Sequence, residues 1–213
     1  MSIGACIRSM AGPLEPSFAD WYRSLFYDVD AFALRLAEAA SGGRFVDVGA
    51  GEGAVVEALV RAIPTANVLG VDPSPKVGRL YREDPMRARF VCAQASTLLP
   101  QWADSFDVAI LGDVLHHVAP EHEAAVWSTA AALVRPGGLL VVKEWIRRPS
   151  LRYFAGWCSD RFITGDKVHY RSRDEWHLAG CQHLGQRGFT LVDEWTLPPS
   201  PCNHALVFER AHA

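Results

Sequence analysis

The chain has 213 residues, of which 49% are hydrophobic and 21% are charged, and this composition is typical of a single globular domain. The formal net charge of −3 argues against a protein that coats DNA by neutralising phosphates. No apolar run reaches the roughly 18–20 residues of a membrane span. The five cysteines are widely spaced and form no C-x-x-C pair. We therefore expect a cytoplasmic protein with reduced thiols.

The predicted elements alternate between helices and strands. A capping-box-like start at Ser17 and apolar residues at helical spacing predict an N-terminal helical cap over residues 1–43. Further helices are predicted over 54–63, from Ser74 with Pro75 at the first helical position, over 120–134, near 151–162, and from Ser172 to about Gln186. Short β-rich runs predict strands at 44–48, 67–71, 89–93, 106–111, 139–146, 189–197 and 205–209.

This alternation predicts βαβ units and therefore a parallel sheet. The last two strands have no helix between them and should form an antiparallel hairpin. The chain is then one domain with four parts: the cap over 1–43, a cofactor-binding core over 44–146, a lid-like insertion over 147–171, and a terminal helix and hairpin over 172–213.

The strongest local signal is the sequence Val46-Asp47-Val48-Gly49-Ala50-Gly51-Glu52-Gly53, where the first strand turns into a helix. Glycines let the backbone turn tightly and approach a ligand, and the helix that follows directs its amides at it. A carboxylate in this turn would repel a pyrophosphate, but it suits a cofactor that carries an ammonium and a sulfonium. Asp72 ends the second strand about 20 residues later, where an acid can accept hydrogen bonds from a ribose.

With these features, the chain resembles the class I S-adenosylmethionine-dependent methyltransferases, and within them the small-molecule, quinone-biosynthesis-like members. Five segments match the sequential motifs of that family: 45–59, 68–75, 90–96, 106–118 and 135–144. The resemblance implies a Rossmann-like α/β fold with a seven-stranded, mostly parallel sheet in the order 3-2-1-4-5-7-6 and helices on both faces.

The resemblance also implies which residues bind S-adenosylmethionine and its product S-adenosylhomocysteine. Asp47, Gly49 and Gly51 should contact the methionine part, Asp72 the ribose, and Pro73 should lie beside the adenine. The third motif here carries Gln94-Ala95-Ser96 in place of the usual acid. The full expected cofactor-binding set is Asp47, Gly49, Ala50, Gly51, Gly53, Asp72, Pro73, Ser74, Ala95, Ser96, Gly112, Asp113 and Val114.

The segment after the fourth strand reads Gly112-Asp113-Val114-Leu115-His116-His117. It lacks the N/D-P-P-Y/F signature of adenine and glutamine methylation and the Pro-Cys pair of cytosine methylation. We therefore expect methyl transfer by SN2 displacement to an oxygen, nitrogen or activated carbon of a small molecule, including an aromatic or carrier-bound one.

His117 is the first candidate for a general base because histidine titrates near neutrality, and His169 and Tyr170 are the next candidates. His116 ranks below His117. We predict no metal site, because no carboxylate or cysteine joins His116, His117 and His122 at ligand spacing.

Other functions stay open from the sequence. The basic segment after the fifth strand is either a solvated face or a site for an acidic substrate, a carrier protein or RNA. An RNA or protein methyltransferase, a nicotinamide-dependent dehydrogenase and a non-catalytic cofactor-binding subunit are the alternatives, and the oligomeric state is undetermined.

Overall fold

The computed structural model describes residues 27–40, 43–150, 153–154 and 168–212, and these contain a seven-stranded sheet. The strands are β1 (Gly43–Val48), β2 (Ala66–Asp72), β3 (Ala88–Cys92), β4 (Phe106–Gly112), β5 (Val134–Trp145), β6 (Phe189–Thr196) and β7 (Asn203–Arg210). Their spatial order is β3-β2-β1-β4-β5-β7-β6. Strands β1 to β5 are parallel, and β7 is antiparallel to both β5 and β6. The predicted strand order and terminal hairpin are confirmed.

Helices cover both faces of this sheet, as predicted. Within the described ranges they are α1 (Val29–Ala39), α2 (Ala54–Ala62), α3 (Leu99–Trp102), α4 (Pro120–Leu133) and α5 (Arg173–Leu184). Phe32 of α1 and Leu59 of α2 are buried against one face. Trp127 of α4 and Trp176 of α5 are buried against the other.

The central strand β4 is apolar on both sides from Val108 to Leu111, as expected for a strand covered on both faces. Ile110 belongs to the core under α1 and α2, and the next residue, Leu111, belongs to the core under α4 and α5. In such sheets ligands bind beyond the carboxyl ends of the parallel strands. We therefore expect the functional site among the residues that follow β1, β2, β4 and β5.

The helix predicted after Ser74 does not form. The segment between β2 and β3 is a series of turns, in which Val77 donates to the Ser74 carbonyl at 3.1 Å. Two of its amides instead bind the loop after β1: Gly78 donates to the Gly51 carbonyl at 2.9 Å and Leu80 to the Glu52 carbonyl at 3.0 Å. These long-range hydrogen bonds outweigh the local capping signal, so this prediction was wrong.

Strand β5 begins earlier than predicted. Val134 already pairs with Phe106, and Leu139 then pairs with Val108, so residues 135–138 form an irregular bulge inside the strand. Helix α4 ends before these prolyl and glycyl residues, as expected. However, β5 starts at Val134, directly after the helix, and not after the glycines.

The predicted N-terminal cap is described only in part. Helix α1 begins after Asp28, whose Oδ1 accepts a hydrogen bond from the Ala31 amide at 2.9 Å. The capping-box-like start at Ser17 and most of the lid-like insertion lie outside the described residues. The division into cap, core, insertion and terminal part stays a prediction. In the described part of the chain, no helix is both long and apolar enough to cross a membrane.

Gly78 offers a test of the contact between the β2–β3 segment and the loop after β1. Its φ is +69°, and an added Cβ would overlap the ring of Phe90. Gly78→Ala should lower the free energy of unfolding, measured by urea denaturation, by roughly 2–4 kcal/mol.

The matched control is Gly185→Ala, because Gly185 has a helical φ of −56° and a Cβ there would meet nothing within 4 Å. It should leave stability unchanged or raise it slightly. Equal losses in the two variants would contradict the close packing of Gly78 against Phe90.

Candidate active site

The glycine-rich loop follows β1 and lies at the carboxyl edge of the sheet. Gly49 and Gly51 have φ values of +84° and +50°, which side chains rarely tolerate. A Cβ on Gly49 would overlap the side chain of Val114, so the loop packs tightly against the residues after β4. A Cβ on Gly51 would meet nothing within 4 Å, so the loop leaves open space beside this residue.

Asp72, at the end of β2, holds the glycine-rich loop in place. Its Oδ2 accepts a hydrogen bond from the Gly51 amide at 3.0 Å and its Oδ1 accepts one from the Ser74 amide at 2.7 Å. Each carboxylate oxygen can accept a further hydrogen bond. Asp72 is only half-buried, so it can still meet a ligand hydroxyl.

Asp47 is the buried acid of the site. Its side chain is 2% exposed, and its Oδ2 has no hydrogen-bond partner among the described residues. Burial, and after it the negative charge of Asp72, raises the pKa of the Asp47 carboxyl to about 7. An unpaired buried carboxylate is costly, and a cationic ligand at this position would relieve the cost.

The residues predicted to lie beside the adenine are found where β2 and β3 end. The Ala93 amide donates to the Asp72 carbonyl at 3.0 Å, which brings the third motif next to Asp72. Ala95 starts a 3₁₀ turn and is half-buried, whereas Ser96 and Pro73 are exposed at the same edge. The expected cofactor-binding residues therefore border one continuous edge from β3 to β4.

A backbone hydrogen bond and an ion pair between Asp113 and Lys143 connect the turn after β4 to β5. The Asp113 amide donates to the Lys143 carbonyl at 2.8 Å, and Lys143 Nζ lies 2.5 Å from Asp113 Oδ2. Asp113 has a φ of +55°, unusual for a residue with a side chain. Lys143 is 1% exposed, and its Nζ lies 3.9 Å from the centre of the Tyr27 ring.

His116 and Glu144 form a buried pair. Glu144 follows Lys143 in β5, so the two side chains project to opposite faces of the sheet. His116 Nδ1 is 2.5 Å from Glu144 Oε2, and the two residues are 3% and 2% exposed. Glu144 Oε1 accepts hydrogen bonds from the amides of Leu115 at 2.8 Å and Val114 at 3.2 Å. The carboxylate of Glu144 thus fixes the turn after β4 and orients the imidazole of His116.

The three predicted catalytic residues all lie around His116. The ring of His117 is 4.1 Å from that of His116, and the ring of Tyr170 is 5.2 Å from it. The His169 amide donates to the His116 carbonyl at 2.8 Å. Tyr170 is buried, whereas His117 and His169 are exposed. The structure brings these residues together but places His116 at their centre.

Sequence reasoning ranked His116 low and missed Glu144. Glu144 is an acid near the end of strand β5, directly after Lys143, and β5 pairs with β4, which precedes His116. An acid at the carboxyl end of a core strand, beside a strand that is followed by histidine, is the signal that could have found the pair.

One donor in each of Asp113, His116 and Glu144 lies within 4.8 Å of the other two, the spacing of a possible metal site. Asp113 already faces Lys143, and both oxygens of Glu144 have hydrogen-bond partners. A cation placed here would compete with the ammonium of Lys143. The prediction that no metal binds stays a prediction.

Comparison with protein families gives one match over most of the chain. The model of a methyltransferase domain family matches residues 21–194. A ubiquinone biosynthesis O-methyltransferase from Rhodopseudomonas palustris is 27% identical over 190 residues, which are 80% of this chain and 72% of the relative. A trans-aconitate 2-methyltransferase from Variovorax paradoxus is 36% identical over 108 residues, 51% of this chain and 39% of the relative.

A solved structure is also similar. It is the 1,6-didemethyltoxoflavin-N1-methyltransferase of Burkholderia thailandensis, with bound 1,6-didemethyltoxoflavin and S-adenosylhomocysteine. The TM-score is 0.64 at 19% identity, and the alignment covers 98% of this chain and 88% of the other. This likeness supports the Rossmann-like methyltransferase fold.

Asp47 allows a test of the electrostatics of this site without any acceptor. An acid with a raised pKa in the folded state keeps its proton to a higher pH than it does in the unfolded chain. Its ionisation therefore lowers the free energy of unfolding as the pH rises from about 4 to about 7. Asp47→Asn removes this contribution, whereas all other titrating groups are shared with the wild type.

In cofactor-free protein, the stability of the Asn variant relative to wild type should therefore grow between pH 5 and pH 8, by roughly 2 kcal/mol in urea denaturation. A difference that does not change with pH would refute the buried, raised-pKa state of Asp47.

Proposed function

The chain belongs to the methyltransferase domain family, and from that premise we propose that it moves the methyl group of S-adenosylmethionine to a hydroxyl oxygen of a small molecule. The family match and the curated relatives confirm the predicted S-adenosylmethionine-dependent methyltransferase of small molecules. They give no support to the alternatives of RNA or protein methylation or of a non-catalytic subunit. The choice of oxygen is the part that we propose, and it rests on the pair of His116 and Glu144.

The residues of the site fit the cofactor. Its ammonium group would meet the buried carboxylate of Asp47, whose Oδ2 has no partner among the described residues. The ribose of the cofactor would meet Asp72. The part of the cofactor between the ammonium group and the ribose would lie in the open space beside Gly51. When bound, the cofactor supplies a methyl carbon activated by a positively charged sulfur.

The observation that carries the proposal is the contact of His116 Nδ1 with Glu144 Oε2. A carboxylate is an acceptor, so it holds the imidazole proton on Nδ1 and leaves Nε2 as the basic nitrogen. A hydroxyl that attacks the methyl carbon must lose its proton, and His116 Nε2 can take it. The charge of Glu144 then stabilises the protonated ring, the pattern of a base oriented by a third group.

The rings of His117 and Tyr170 flank His116 and would border an acceptor that reaches it. His117 and His169 are exposed and are the alternative bases. Alignment of the hydroxyl with the methyl carbon supplies a large part of the rate, about 7–11 kcal/mol in well-oriented systems. A base adds to this by roughly 10²–10⁴-fold.

We also propose a cytoplasmic location and include carrier-bound acceptors. The location rests on the widely spaced cysteines, of which Cys92, Cys181 and Cys202 are free thiols in the described part of the chain. The carrier-bound acceptor rests on the basic residues after β5.

The direct test of the proposed function is methyl transfer from labelled S-adenosylmethionine to hydroxylated aromatic compounds, with amino-substituted analogues in parallel. We expect the label in a methyl ether. Label found only on nitrogen or carbon of the acceptors would overturn the proposed oxygen specificity.

Substitution of His116 tests the base. His116→Gln should lower kcat by roughly 10²–10⁴-fold and leave the affinity for S-adenosylhomocysteine near that of the wild type. His117→Gln should lower kcat much less, and His122→Gln, at an exposed position of α4, is the control. If His117→Gln were the more damaging of the two, His117 would be the base and the pair with Glu144 would be structural.

Substitution of Asp72 tests the ribose contact. Asp72→Ala should weaken S-adenosylhomocysteine binding at least tenfold in calorimetry, because it removes a ligand acceptor and loosens Gly51. Asp84→Ala is the control, since Asp84 Oδ1 likewise accepts a backbone amide, that of Met86, within the same β2–β3 segment. Equal affinities in the two variants would remove Asp72 from the cofactor site.

A further inference from the structure

Residues 169–171 form a short strap across the candidate active site, directly before helix α5. At one end of the strap, the His169 amide donates to the His116 carbonyl at 2.8 Å. At the other end, the Arg171 carbonyl accepts a hydrogen bond from the Arg147 amide at 2.7 Å. His116 follows β4 and Arg147 follows β5, so the strap connects the carboxyl ends of two neighbouring strands.

The middle residue of the strap, Tyr170, lies against the ring of His116. The two ring centres are 5.2 Å apart, and Tyr170 also packs with Trp145 and Cys202 in a small buried cluster. The strap thus contributes to the burial of His116, which is only 3% exposed. Loosening of the strap should therefore let water reach this imidazole.

The side chain of Arg171 anchors the strap to helix α4. Its Nη1 and Nη2 each donate to one carboxylate oxygen of Glu123 at 2.6 Å, so the contact has two points. Glu123 is buried, and its Oε1 also accepts the indole N–H of Trp127 at 3.1 Å. The guanidinium carbon of Arg171 lies 4.8 Å from the centre of the Trp176 ring. Residues of both α4 and α5 therefore hold this arginine.

The side chain of Arg147 provides no comparable anchor. It pairs with Glu175 at 2.9 Å, and both side chains are about half exposed. Exposed ion pairs add little to stability, whereas removal of one partner of a buried pair leaves a buried charge uncompensated. Loss of Arg171 would deprive the buried carboxylate of Glu123 of both guanidinium hydrogen bonds.

We propose that Arg171 is a positioning residue for methyl transfer: its pair with Glu123 holds Tyr170 across the ring of His116 and keeps bulk water away from that side of the imidazole. The inference rests on the proposed function, in which His116 is the base. A base shielded from water keeps its free nitrogen for the hydroxyl of the acceptor. In this role Arg171 acts through the strap and not by contact with the acceptor.

The test measures how fast the Nδ1 proton of His116 exchanges with water, by NMR of the cofactor-free protein labelled with ¹⁵N-histidine. The signal is identified by its loss in His116→Gln. Arg171→Gln should raise the exchange rate roughly tenfold or more over that of the wild type. Arg147→Gln should leave the rate unchanged, because it breaks only the exposed pair with Glu175.

Arg82→Gln is the matched control for a loss of stability. Arg82 makes a similar contact with the buried acid Glu57: its Nη2 lies 2.6 Å from Oε1 and its Nε lies 3.4 Å from Oε2. Glu57 belongs to α2, on the opposite face of the sheet from α4. This variant should lower the free energy of unfolding but leave the exchange of the His116 proton unchanged. Equal acceleration in Arg82→Gln and Arg171→Gln would show exchange by global unfolding and overturn the role of Arg171.

Arg171→Lys keeps the charge but loses the two-point contact, so its exchange rate should lie between those of the wild type and Arg171→Gln. This variant carries the test if Arg171→Gln does not fold. Arg171 variants without acceleration, or a His116 proton that exchanges freely in the wild type, would also overturn the proposal.

Methyl transfer is measured separately, with the hydroxylated aromatic compounds that test the proposed function. Arg171→Gln should lower kcat roughly tenfold or more, with the affinity for S-adenosylhomocysteine unchanged. An unchanged kcat would overturn the positioning role. Faster exchange in Arg171→Gln, together with no methyl ether from the wild type, would support the strap and count against the proposed oxygen methylation.

Discussion

The buried carboxylate of Glu144 is the interaction on which the site depends. It accepts hydrogen bonds from the backbone amides of Val114 and Leu115 and contacts the ring of His116. A buried carboxylate needs several such partners, and these three come from the turn after the neighbouring strand β4. One side chain of β5 therefore fixes the backbone that we expect to border the cofactor, and it orients the candidate base. The bond between Asp113 and Lys143 holds the same turn from the opposite face of the sheet.

The cofactor side of the site has the opposite character. Asp47 is buried, and its Oδ2 lacks a hydrogen-bond partner among the described residues. Asp72 accepts two backbone amides and is already ordered. Asp72 thus shapes the loop without a ligand, whereas Asp47 Oδ2 would gain a partner from the cationic group that we propose binds there. The charge of Asp72 raises the pKa of Asp47, and a positively charged ligand beside the two acids would offset this repulsion.

Much of the fold and part of the candidate site could be predicted from the sequence. The glycine-rich loop and Asp72 were found from local patterns, because each lies in a short motif at the end of a strand. The strand order followed from the resemblance to a known family. The helix expected after Ser74 failed, since Gly78 and Leu80 bind Gly51 and Glu52 across the sheet edge rather than their own helical neighbours. Glu144 and Lys143 were missed because their roles depend on the register of β5 with β4 and β7, which a local pattern does not reveal. The ion pairs that neutralise Arg147 and Arg171 are likewise contacts between distant segments.

The most direct measurement is a calorimetric titration of the cofactor-free protein with S-adenosylhomocysteine at pH 7, repeated in two buffers that differ in ionisation enthalpy. Asp47 has a pKa of about 7 without ligand and must be ionised to pair with the ammonium group. We expect one-to-one binding with release of a fraction of a proton, seen as a difference in the observed enthalpy between the buffers, and no such release in Asp47→Asn. Absence of binding, or binding with the same proton release in the variant, would contradict a methyltransferase site built around Asp47.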